Sequence, residues 1–192
     1  MHLPNNMPFR FLFFDTYIGY ILQIAPFALM AGVVYGTIRH KINRRSKLSQ
    51  TILKSLFISY LTGLIGLVLL FDFVWNTWYL LVYHVNIYNF DKLFQFRFNF
   101  VPDFWNHING ESIGNFILFL PFGFLYPLAN GNTSFTDVIK SGAFCVGAIE
   151  IIQPVFGRAF DINDIILNLI GLVISAAIFF GARQALTRRQ HN

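Results

Sequence analysis

The residues best suited to chemistry in this chain gather late, in EIIQPVFGRAFDINDIILNLIG, residues 150–171. Glu150, Asp161 and Asp164 are carboxylates, Arg158 is a fixed cation, and Gln153 and Asn168 are amides, with Glu111 and Asn115 as upstream counterparts. Paired carboxylates can act as general acid and base, or offer hard oxygens to a divalent cation. An arginine fork suits a phosphate or a carboxylate, and amides suit hydroxyl and peptide groups. At about 100° per residue, Glu150 and Gln153 share a helix face. Asp161, Asp164 and Asn168 follow an i, i+3, i+7 stripe that Gly171 and Ser175 continue. Each residue also has a structural use. Asp161 or Asp164 suits a helix N-cap, Asn115 and Asn168 suit interhelical hydrogen bonds, and Arg158 suits a headgroup anchor. Pro121 and Pro154 read as helix-shaping, and His84 and His107 as lone histidines of an aromatic loop.

These polar groups sit in a chain of 192 residues that is 55% hydrophobic and 12% charged, with 24 phenylalanines. Soluble proteins carry about 25% charged residues, so the composition excludes a soluble domain and predicts an integral membrane protein. A spanning helix needs about 20 apolar residues. Runs at 17–38, 51–71, 113–129, 138–156 and 165–182 meet or approach that length, and none alternates as a barrel strand does. The expected fold is an all-α, polytopic transmembrane bundle of about five spans in a single domain. The N-terminal stretch MHLPNNMPFRFLFFD lacks the pattern of a cleaved signal peptide. A lone cysteine, Cys145, leaves no intrachain disulfide to form.

Lys and Arg set the orientation. Arg39, Lys41, Arg44, Arg45 and Lys47 separate the first two runs, and Arg183, Arg188 and Arg189 follow the last. Placing both groups in the cytoplasm puts the N-terminus outside and the C-terminus inside. Ten of the 14 basic residues then lie inward, and eight of the nine acidic residues lie outward. The net charge of +5 is thereby read as topology, with no nucleic acid as partner. Residues 73–90 are apolar enough for a sixth span, yet that span would carry the arginine-rich tail outside. Trp75, Trp78, Tyr79, Tyr83 and Tyr88 there are the rings of a membrane interface, so residues 72–112 read as an aromatic outer loop. In FQFRFNF every second residue is phenylalanine, as in an extended segment with one apolar face. With this topology Glu111, Asn115, Glu150, Gln153, Arg158, Asp161, Asp164 and Asn168 fall at one level, near the outer headgroups. Facing lipid would cost a charge about 2.5–3.5 kcal/mol, so they are expected to face inward around a polar pocket.

The ordered pieces NFVP (99–102), NFILFLPFGF (115–124), EIIQ (150–153), GRAFDIND (157–164) and NLIG (168–171) resemble the VanZ-like family of bacterial membrane proteins. Leu169 departs from the pattern, since members often carry a small hydroxyl residue there. The resemblance implies a multi-pass protein of the bacterial plasma membrane. It also implies a link to glycopeptide resistance, because the founding member is associated with teicoplanin. Three functions are compatible with the residues. The first is binding of a cell-envelope amphiphile, a lipid-linked cell-wall intermediate or a lipoglycopeptide. The second is enzymatic modification of such a lipid by the carboxylates, and the third is proton-coupled transport through Glu150. Membrane lipids are the expected surroundings. No cofactor is predicted, beyond a divalent cation that the carboxylate cluster could take.

Overall fold

The computed structural model describes residues 9–43, 47–87, 91, 93–106 and 110–190. Arg44, Arg45, Tyr88 and His107, which entered the reading above, lie outside the described residues. A short helix, α1 (Phe9–Phe14), leads into α2 (Tyr17–Ile42), which Thr16 caps by accepting from the Gly19 amide at 3.1 Å. Then come α3 (Leu48–Val68) and α4 (Phe71–Tyr83), strand β1 (Arg97–Asn99), and α5 (Gly110–Leu118) running into α6 (Leu120–Asn130). Helix α7 (Phe135–Ile152), strand β2 (Ala159–Asp161) and α8 (Ile162–Gln190) complete the chain.

Among the described residues, five helical segments are long and apolar enough to cross a membrane: Tyr17–Ile42, Leu48–Val68, Gly110–Asn130, Phe135–Phe156 and Ile162–Arg189. They extend or shift the expected runs by a few residues, because helices continue into polar flanks that apolarity alone does not mark. The third is broken near Phe119. Pro121 has no amide proton and disfavours helical geometry in the residue before it. The Leu118 carbonyl at the break accepts from the Tyr60 hydroxyl at 2.8 Å. The described part of that stretch, residues 73–87, does not form a sixth span. With 13 residues α4 is about 20 Å long, well short of the roughly 30 Å hydrocarbon core, and His84 ends it in the left-handed region at φ 58°. Trp78 pins α4 to α2 by donating from Nε1 to the Gln23 carbonyl at 2.9 Å.

The core lies among α3, α6, α7 and α8, where Leu64, Phe119, Phe122, Val138, Val146, Ile149, Leu172 and Ala176 are buried together. Outside it the usual rule inverts. Large apolar side chains such as Leu29, Met30, Val33 and Phe144 are exposed, Phe144 to 78%, as a lipid-facing surface requires. The expected polar-to-small stripe on α8 is one place where helices meet closely. Gly171 lies against the Phe116 carbonyl of α5, and Ser175 against Gly123 of α6. The architecture is thus an all-α, five-span bundle, with a two-stranded sheet added at one end.

Candidate functional site

The site is built where α7 hands over to α8. Pro154 cannot donate to a helix ladder, and the chain tightens into a 3-10 turn, Gln153–Phe156. Gly157 follows at φ 82°, a conformation that glycine adopts without the Cβ penalty. The chain then extends as β2 and pairs in parallel with β1, Arg97 opposite Ala159, Phe98 opposite Phe160 and Asn99 opposite Asp161. The FQFRFNF segment is extended over Arg97–Asn99, the part that pairs, whereas Phe94 lies in a turn at φ 58°. Phe98 and Phe100 stack with centroids 6.0 Å apart, and both rings meet Phe160. Arg97 and Asn99, in the opposite phase, line the cavity described below.

Glu150 is only 1% exposed. The Gln153 amide, turned so that its nitrogen faces acceptors, donates to Glu150 Oε2 at 2.9 Å and to the Ala159 carbonyl at 3.2 Å. The Asp161 amide also approaches Glu150 Oε2, at 3.5 Å. Glu150 and Gln153 thus strap β2 to the end of α7. Asp161 is the carboxylate that caps α8, accepting from the Asn163 amide at 2.8 Å. Both of its oxygens also accept from Asn99 Nδ2, at 3.2 and 3.1 Å. Asp164, one turn on, accepts from Asn115 Nδ2 of α5. Asn168 is buried deeper in α8, and its Oδ1 has no hydrogen-bond partner among the described residues.

Above this scaffold opens a polar cavity of about 420 Å³. Of the eight residues expected at the site, Glu111, Arg158, Asp161 and Asp164 line it. Glu150, Gln153, Asn115 and Asn168 do not; they support the walls or lie below. Arg158 Nη2 stands 3.5 Å from Glu111 Oε1, with the two side chains 40% and 62% exposed. Such an open pair contributes little stability, about 0–1 kcal/mol, so a ligand that competes for either member meets little resistance.

Five polar residues outside the expected site belong to this place: Arg97, Asn99, Asp103, Ser112 and Asn163. Asn163 is buried. Its Oδ1 accepts from the Asp103 and Phe104 amides at 2.8 and 3.1 Å. Its Nδ2 lies 2.9 Å from Asp103 Oδ1, 2.9 Å from Asp161 Oδ1 and 3.3 Å from the Val101 carbonyl. The alternation of 94–100 marks the face that Arg97 and Asn99 share. Nothing local marks Asn163, which stands between two aspartates and reads as part of a cap. Among the described residues no three acidic, histidine or cysteine side chains come together as a metal-holding group.

The VanZ/LLP1 family model matches residues 57–183, a stretch that contains every residue of the cavity wall. No curated protein and no solved structure matches the chain.

Proposed function

The chain belongs to the VanZ/LLP1 family, and with that as premise we propose that it binds the head group of a cell-envelope amphiphile in its polar cavity. In this reading it is a multi-pass protein of the bacterial plasma membrane with the cavity facing outward. The ligand is a lipid-linked cell-wall intermediate or a lipoglycopeptide antibiotic. Holding such a molecule at the membrane surface is the route by which it would contribute to glycopeptide resistance.

The observation that carries the reading is the loosely held Arg158–Glu111 pair, 3.5 Å apart and open to solvent at a polar cavity. Arg158, with Arg97 nearby on the cavity wall, offers planar forks to a phosphate or carboxylate. Glu111, Asp103 and Asp164 offer acceptors to the amine, amide or hydroxyl groups of the same head. Arginines and carboxylates share this wall, so a head group can place its phosphate on the arginines and its amine or hydroxyl groups on the carboxylates. The transport alternative, and the enzymatic one where it pairs Glu150 with Asp161 or Asp164, needs Glu150 to meet a ligand or a proton path. That carboxylate is buried among Gln153 and the β2 backbone, which favours a supporting role and leaves binding the better reading.

The test is equilibrium binding of a lipid-linked cell-wall intermediate, and separately of teicoplanin, to protein in nanodiscs. Arg158→Ala is expected to weaken the true ligand at least tenfold, about 1.4 kcal/mol, which is within the range of a charge-assisted hydrogen bond. Arg158→Lys, which keeps the charge and loses the fork, should fall between. Equal affinity of parent and Arg158→Ala for both molecules would reject the proposal.

A further inference from the structure

We infer that a second, apolar groove beside the polar cavity holds the hydrocarbon chain of the same amphiphile. The inference rests on the head-group reading above and adds where the chain runs. The groove has a volume of about 680 Å³ and lies between α2, α3 and α5. Tyr20 and Ile21 wall it from α2, Leu67 and Val68 from α3, and Ile113 and Ile117 from α5. It reaches Glu111 and Arg158, the two residues that also line the polar cavity. The two spaces therefore meet at the ion pair, one polar and one apolar, as the two halves of an amphiphile are.

The packing of the bundle explains why the groove exists. Helix α2 pairs with α3, while α5 is drawn onto α8 by the close approach of Gly171 to Phe116. The space left between the pairs is lined on the α5 side by Gly114, where an added Cβ would meet nothing within 4 Å. Moving an alkyl chain from lipid into such a groove exchanges one apolar surrounding for another, so little hydrophobic free energy is gained. Affinity must come from the head group, and the groove fixes the direction the chain takes from it. The signature is accordingly one of position, not of tighter binding by longer chains.

The experiment uses the full chain in nanodiscs and a hexadecyl phosphate probe with a diazirine at the chain end. After irradiation, mass spectrometry should find label on the groove faces of α2, α3 and α5. Excess hexadecyl phosphate should compete the label away, and hexadecanol should not. Gly114→Leu, which fills the open side of the groove, should reduce that label at least fivefold. Binding of the chainless head analogue ethyl phosphate to the polar cavity should stay within twofold of the parent. Ile21→Trp fills the groove from the opposite wall and should act in the same way, so a folding defect in one variant does not decide the result. Label spread over all lipid-facing helices, or unchanged in both variants, overturns the groove while ethyl phosphate binding keeps the head-group reading intact. Loss of binding of both probes by the parent protein overturns the head-group reading and the groove together.

Discussion

The amide of Asn163 ties the 97–104 segment to the start of α8. It satisfies two backbone amides, reaches one carbonyl, and stands between the carboxylates of Asp103 and Asp161. Removing it leaves those amides without their acceptor, at about 1–3 kcal/mol. Asn163→Ala is therefore expected to raise the hydrogen-exchange rates of the Asp103 and Phe104 amides by about tenfold or more, with α2 to α7 unchanged. Asn163→Asp should loosen the segment further, since it sets a third carboxylate beside two. Exchange at 103 and 104 equal to the parent's in both variants would refute this role. The same segment supplies Arg97, Asn99 and Asp103 to the cavity wall, so its order bears on binding as well as on stability.

Between elements, the decisive distance is that of α8 from its neighbours. Gly171 faces the Phe116 carbonyl so closely that any Cβ collides with backbone, which cannot rotate away as a side chain can. Gly171→Ala should cost about 1–3 kcal/mol by overpacking, read as a lower unfolding temperature in detergent. Gly147→Ala, where a Cβ meets nothing within 4 Å, is the matched control and should leave that temperature near the parent's. Equal effects of the two would show that the α5–α8 approach is not under steric limit. The small residues on α8 were legible in the sequence because helical periodicity puts Asp164, Asn168, Gly171 and Ser175 on one stripe. The five spans were legible too, since length and apolarity are local properties. Pairing of β1 with β2 was not, because it joins residues 62 apart and no local pattern records a tertiary partner. Nor was the burial of Glu150. A carboxylate near a helix end reads alike whether it faces a cavity or, as here, the back of a strand. Glu111, Arg158, Asp161 and Asp164 were named from the sequence, but Arg97, Asn99 and Asp103 join them on the cavity wall only once β1 lies beside β2.

For the whole molecule, charge and cavity are coupled through chain direction. The starts of α2, α5 and α8 and the ends of α3 and α7 share one end of the bundle, together with α4, the small sheet and the cavity. Asp72, Asp103, Glu111, Glu150, Asp161 and Asp164 lie there, whereas Arg39, Lys41, Lys47, Lys54, Lys140, Arg183, Arg188 and Arg189 lie toward the other end. Because basic residues resist translocation and acidic ones contribute little to orientation, the cavity end is the one expected outside. Single cysteines at position 85, just after α4, and at position 187, near the end of α8, test this in a Cys145→Ala background. Both positions are exposed. A membrane-impermeant maleimide applied to intact cells should label Val85→Cys and should label Thr187→Cys only after permeabilisation. The reverse pattern would turn the cavity toward the cytoplasm, out of reach of any amphiphile arriving from outside. It would leave the Arg158–Glu111 pair facing ligands of the inner leaflet instead.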